Sequence, residues 1–183
     1  YTVNFVMPYA DNLNDYQYFT TPNDFSAVIM LEYADRKILF TGDIEYETGK
    51  KGAEQSFIRE FSTSNPAMVD CDVLKVAHHG SDSSTSPEFL SLVKPEYSVI
   101  SCGLSNKHRH PLKSTLDNLV NCGSDIYRTD LQGTIILTID SKGIMTFEKQ
   151  TNKYDGKILD DGDTIKQYEI DHADEIEKFK ATL

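Results

Sequence analysis

Cys71-Asp72-Val73-Leu74-Lys75-Val76-Ala77 runs directly into His78-His79-Gly80-Ser81. The first seven residues have the apolar, β-branched character of a strand. The next four are polar and include a glycine that lets the backbone turn sharply. A second run ends in the same way, where Lys37-Ile38-Leu39-Phe40 passes into Thr41-Gly42-Asp43. In layered α/β folds such strand ends present side chains rigidly into a shared crevice. An Asp at one end and a His at another is metal-ligand chemistry, because a carboxylate bridges cations and a neutral imidazole suits zinc, manganese or iron. Gly-Asp taken alone is more often a turn. Two adjacent His before Gly-Ser are the rarer signal in a chain with five His, and one of the pair can serve to orient the other.

Working outward, Thr2 to Met7 reads as a strand stopped by Pro8, followed by a polar Tyr/Asn/Asp-rich loop to about Asn23. Ser26 to Tyr33 and Lys37 to Thr41 are separated by a short turn and predict a hairpin. A helical pattern runs from Glu45 to about Phe61. Ser86-Pro87 predicts an N-cap and first helical residue, with the helix closing before Pro95. Tyr97 to Cys102 is a strand, and Lys113 to Val120 a helix. Asp125 to Arg128, Thr134 to Ile139 and Ile144 to Phe147 are further strands. Residues 149–183 read as an acidic polar tail, with Gly156 and Gly162 in turns and a short amphipathic helix over Ala173 to Phe179. The order predicts a mixed α/β layered domain over 1–148 followed by that tail.

The chain has 183 residues, 39% of them apolar and 26% charged, which suits one domain with a sizeable core. Eighteen basic against 29 acidic side chains give a net charge of −11. That balance argues against sequence-independent nucleic-acid binding, which rests on Lys and Arg neutralising phosphates. No run approaches the roughly 20 apolar residues of a membrane helix. Cys71, Cys102 and Cys122 are widely spaced and odd in number, so neither a disulfide framework nor a thiolate zinc site is indicated, and a reducing cytoplasm is slightly favoured. Beginning at Tyr1, the chain reads as a processed or excised piece. No Gly-x-Ser-x-Gly elbow, GxxxxGK[ST] loop or GxGxxG fingerprint is present, which argues against serine-nucleophile, nucleotide-triphosphate and hydride chemistry. Asn106, His108, His110 and Pro111 form a second polar cluster ahead of a helix, where an imidazole can touch a phosphate or protonate a leaving group. Ser81, Ser83, Ser84 and Thr85 read as solvated loop and capping residues, Ser81 standing directly after the His pair.

Asn23-Asp24-Phe25-Ser26-Ala27-Val28, Leu39-Phe40-Thr41-Gly42-Asp43-Ile44-Glu45 and Leu74 to Ser81, in this order, resemble the metallo-β-lactamase-fold hydrolases of the ComEC type. These are the soluble domains of competence DNA-uptake proteins and their stand-alone relatives. Ile100-Ser101-Cys102-Gly103, Asn106, His110-Pro111 and Tyr127-Arg128-Thr129-Asp130 with Gly133 continue the resemblance over about residues 1 to 148. It implies an αββα sandwich with one or two divalent ions, zinc or manganese. The implied activity is hydrolysis of phosphodiesters or related esters by attack of a metal-bound water. By the same resemblance Asp43 is the bridging carboxylate. The His78-His79 pair supplies a metal ligand, with His79 preferred because it precedes Gly. Asp43, His79 and His110 are the catalytic set, and Asn23, Ser81, Asn106 and His110 line the substrate pocket.

The resemblance is partial. The fold's first metal motif, His-x-[His/Asp]-x-Asp-His, is absent from these 183 residues; only Gln167-Tyr168-Glu169-Ile170-Asp171-His172 approaches it, without the leading His. The chain therefore reads as the C-terminal half of the sandwich, lacking the strands of the first motif. Two alternatives follow: a catalytically inactive binding or scaffolding domain of the same fold, without metal, or an inactive fragment of a longer enzyme. Half a sandwich also leaves an apolar sheet face, which points to homo-oligomers. A small phosphoester or a nucleic acid is the substrate class expected.

Overall fold

The computed structural model describes residues 1–8, 19–46, 51–152 and 154–171, together with 173, 177 and 181. Six strands form the main sheet in sequence order: β1 (Thr2–Met7), β2 (Val28–Tyr33), β3 (Arg36–Phe40), β4 (Val73–Lys75), β5 (Tyr97–Ile100) and β6 (Asp125–Arg128). The β1/β2 and β2/β3 pairs are antiparallel; β3 through β6 are parallel. Ala34 and Asp35 both take positive φ, 49° and 60°, the backbone of a tight hairpin turn whose twist matches its strands. β7 (Ile135–Ile139) and β8 (Met145–Lys149) make a separate antiparallel pair.

Parallel strands need crossovers, and three helices supply them on one face: α1 (Ala53–Ser64), α2 (Pro87–Val93) and α3 (Lys113–Asn121). Phe57, Phe89, Leu90, Leu116 and Leu119 from these helices meet Val28, Met30, Leu39, Leu74 and Ile100 from the sheet in one core. The α2 cap is as the sequence predicts: Ser86 Oγ accepts from Phe89 N, Pro87 opens the helix, and Lys94 closes it in the left-handed region at φ 49°. The helix predicted from Glu45 begins only at Ala53. Its first amide is capped from elsewhere, Ala53 N donating to Asp24 Oδ1 at 2.8 Å, which leaves Glu45 free of the helix. Residues 47–50 of that prediction lie outside the described residues.

The sheet's other face is half covered. Phe147 of β8 stacks on Tyr127, with ring centroids 4.3 Å apart, and lies 4.9 Å from Tyr97. Over β1–β3, Val3, Phe5 and Phe40 remain 49%, 74% and 42% exposed among the described residues.

Residues 154–171 pack onto the domain. α4 (Thr129–Gln132) and α5 (Gly162–Asp171) bring Leu131 and Ile165 into a second small core with Tyr154, and Leu104 and Ile158 lie against it. Gly162, expected in a turn, is the first residue of α5. The helix predicted over 173–179 falls largely outside the described residues, as does His172. No helix among the described residues is long and apolar enough to cross a membrane.

Candidate active site

The carboxyl ends of β3 and β4 are knitted together before any chemistry is presented. Thr41 Oγ1 donates to Lys75 O at 2.6 Å, and His78 N donates to Gly42 O at 3.1 Å. Gly42 sits at φ +55°, and a Cβ there would lie 2.7 Å from the Ser26 Cβ. That close approach lets Asp43 N donate to Ser26 Oγ at 3.0 Å. The result is a half-exposed Asp43 carboxylate on a fixed backbone.

After β4 the chain takes three successive left-handed residues, His78 (φ 45°), His79 (φ 57°) and Gly80 (φ 87°). Two of them carry side chains, at a cost of about 1–2 kcal/mol each relative to ordinary backbone. The turn aims the two imidazoles apart, their ring centroids separated by 6.4 Å. His79 Nδ1 lies 2.6 Å from Ser101 O, so this nitrogen carries the proton and donates. Its Nε2 faces Asp43 Oδ1 at 3.7 Å. His78 is engaged differently: Nδ1 lies 2.8 Å from Glu45 Oε1. Glu45 also accepts from Ser83 Oγ at 2.9 Å and from Thr21 Oγ1 at 2.8 Å.

His110 closes the cluster, its ring 5.6 Å from that of His78 and 5.6 Å from His108. Partial burial, and then the neighbouring His78, His108 and His79, push its imidazole below the ordinary histidine value. It is thus a neutral ring near neutral pH.

The structure places Asp43 beside His79, and His78 between His79 and His110. Asn106 is occupied otherwise: its amide nitrogen donates to His110 O at 2.6 Å and Gly103 O at 3.0 Å, and its oxygen accepts from His110 N at 3.0 Å. It shapes the loop that carries His110. Ser81 is 6% exposed, with its hydroxyl 2.9 Å from Ser83 Oγ. Asn23 is half-buried in the turn Pro22–Phe25, three residues before Ser26. The solvated reading of the serine run is corrected, since Ser84 and Thr85 are 1% and 0% exposed. The loop is pulled inward by Glu54, which accepts from Thr85 N at 2.5 Å and Ser86 N at 2.9 Å.

Glu45, Glu54 and Ser101 were not picked out by sequence reasoning. Glu45 left one trace, its i,i+2 spacing from Asp43 across Ile44, which is fully buried.

Asp43 and His79 suit a divalent cation. Ligand bonds of about 2.0–2.2 Å allow two donors on one ion to stand no more than about 4 Å apart, and the 3.7 Å pair is inside that limit. The carbonyl-anchored Nδ1–H is the arrangement that fixes a ligating imidazole. Two donors do not make a complete set: among the described residues no group of three or more His, Cys, Asp or Glu is gathered closely enough to hold a metal.

A mixed sheet with helices on one face, and an Asp and a His pair at adjacent strand ends, fit a hydrolase fold of the mixed α/β class. The metallo-beta-lactamase superfamily matches residues 9–104, more than half the chain, and the chain belongs to it. His110 and all that follows lie beyond the matched stretch. Among curated proteins, the chain is 35% identical over 113 residues to ComE operon protein 3 of Bacillus subtilis (strain 168), covering 62% of this chain and 13% of that one. It is 30% identical over 132 residues to Competence protein ComA of Neisseria gonorrhoeae, covering 72% and 18%. It is 34% identical over 113 residues to Recombination protein 2 of Haemophilus influenzae, covering 62% and 13%. The chain thus spans less than a fifth of the length of these relatives. They bear out the ComEC-type resemblance.

Proposed function

We propose that this chain carries the site of a metal-dependent hydrolase acting on phosphodiesters or related esters. The carrying observation is the Asp43 Oδ1 to His79 Nε2 separation of 3.7 Å, with the far nitrogen of His79 committed to Ser101 O. Asp43 and His79 hold a zinc or manganese ion. When bound, such a cation polarises a phosphoryl or carbonyl oxygen and generates a nucleophile from water near neutral pH. The chain's own contribution is positioning and proton handling. Ser26 fixes Asp43 and Ser101 fixes His79. His110, a neutral imidazole next to His78, is suited to accept a proton from an incoming water or to return it to a leaving oxygen. Glu45 Oε1, 2.8 Å from His78 Nδ1, fixes the orientation of that ring. The resemblance to domains of DNA-uptake proteins favours a nucleic-acid substrate; the net charge of −11 favours a small one, because a long polyanion is repelled.

A second reading, a metal-free binding domain that keeps the fold, draws support from the absence of a three-donor cluster among the described residues. Elemental analysis after exposure to zinc or manganese, paired with hydrolysis of a chromogenic phosphodiester, separates the two. The hydrolase reading expects bound metal that is lost in Asp43→Ala and His79→Ala. Metal and turnover unchanged in both variants would overturn it.

A further inference from the structure

Both residues that flank His110 are held from the C-terminal segment. Gly162, at the start of α5, donates its N–H to Pro111 O at 3.0 Å. Asp163 Oδ1 lies 3.0 Å from Arg109 Nη1. A Cβ at position 162 would stand 1.9 Å from the Arg109 carbonyl oxygen and 2.2 Å from its carbon, so the two backbones meet as glycine alone permits. From the opposite side, Leu112 N donates to Gly80 O at 2.9 Å, and a Cβ at 80 would stand 2.6 Å from the Pro111 Cβ. The loop ending at Pro111 is thereby gripped between the turn that bears His79 and the beginning of α5.

The segment that makes this grip is itself anchored deeply. Arg128 is 0% exposed and donates through Nη1 to Ile158 O, at 2.7 Å, and to Asp160 O. Ile165 is 3% exposed in the core that also receives Leu104, from the loop that carries His110. The Arg109–Asp163 pair is more than half exposed and by itself adds little. The buried anchors and the Gly162 contact carry the arrangement.

We infer that residues 154–171 are a strap that positions His110 in the site, with Gly162 as the positioning residue. A helix docked only for stability could rest anywhere on the domain; this one closes on the two neighbours of one imidazole. The inference rests on the reading that His110 belongs to the site. Its chemical consequence is that His110 keeps its place beside His78 only while α5 is docked.

The test is a nuclear Overhauser cross-peak between the ring protons of His78 and His110 in the full chain, whose ring centroids are 5.6 Å apart. The Tyr127–Phe147 cross-peak, between stacked rings at 4.3 Å, serves as the control for an intact fold. In Gly162→Val the His78–His110 peak should fall about threefold for a displacement of about 1 Å, the looseness that ruins a positioned group, while the Tyr127–Phe147 peak stays. Ile165→Ala, which loosens α5 and its packing towards Leu104 without placing a side chain against Arg109, should weaken the same peak and keeps the test decidable if the valine variant does not fold. Both cross-peaks unchanged in Ile165→Ala, or in a folded Gly162→Val, would overturn the inference. The readout needs neither metal nor substrate. A response here with no effect of Asp43→Ala on metal leaves the strap standing and the hydrolase reading fallen, and the reverse pattern does the opposite.

Discussion

β4 and β6 are parallel strands of one sheet, separated only by β5, and their carboxyl ends are built to opposite purposes. At β4 the chain enters a left-handed turn and leaves His78 and His79 partly exposed, with Nδ1 of each ring engaged, by Glu45 and by Ser101 O. At β6 nothing is left open. The Arg128 guanidinium meets both Asp130 oxygens, at 3.1 and 2.7 Å, and two backbone carbonyls, while Arg128 N donates to Gln132 Oε1 at 2.8 Å. The side chains of Arg128 and Asp130 are 0% and 3% exposed. Strain and partly exposed imidazoles mark the end proposed to carry the chemistry. Complete hydrogen bonding marks the end that holds the fold.

Four changes sharpen this contrast, and the largest effect belongs to the closed end. Arg128→Met strands the Asp130 carboxylate and two carbonyls in the interior, so urea unfolding should show a loss of about 3–5 kcal/mol. A loss no larger than that of a surface change would mean that Arg128 is not an anchor. Next comes Glu54, which ties the serine loop to α1. Burial pushes its carboxyl up from the ordinary 4.5 to about 7. A raised carboxyl favours the folded state when protonated. Its contribution is full below about pH 4.5 and is lost as pH rises through about 7, amounting to about 3 kcal/mol. The urea midpoint should therefore fall across that window, and Glu54→Gln should flatten the fall; parallel profiles for the two proteins would refute the assignment.

At the open end the expected energies are smaller. Gly80→Ala drives a Cβ against Pro111 and forces a residue with a side chain to φ +87°, for a loss of about 1–3 kcal/mol. Wild-type stability in this variant would show that the turn and the loop ending at Pro111 are not in contact. His79→Gly relieves a strained left-handed residue and gives up the bond to Ser101 O, so stability should stay level or rise by about 1 kcal/mol. Metal uptake should nevertheless disappear. A clear destabilisation would mean that the turn is held for structure and not for a ligand.

Much of the fold was legible because its signals are local. The hairpin of β2 and β3, the Ser86-Pro87 start of α2 and the strands β5 to β8 follow from alternation, capping and turn chemistry within a few residues. The α1 start was missed because its cap is Asp24, 29 residues away. Asp43, His78, His79 and His110 were visible as polar groups at strand ends and ahead of a helix. Glu45 and Glu54 were not, since an acid in a polar stretch looks like any solvated acid until its partners arrive from other segments. Asn106 was visible as part of a cluster, but its use in closing the loop around His110 depends on backbone groups whose placement the sequence does not display.

Local sequence was enough for the strands, the limits of α2 and α3 and the residue types at the strand ends, because periodicity and capping act through neighbours in the chain. Long-range packing settled what Nδ1 of His78 and of His79 meets, which acid faces which of these two imidazoles, and that residues 154–171 close on the flanks of His110. Those facts depend on distances of a few ångströms between segments far apart in sequence. They are fixed by packing and by the demand that buried polar groups find partners.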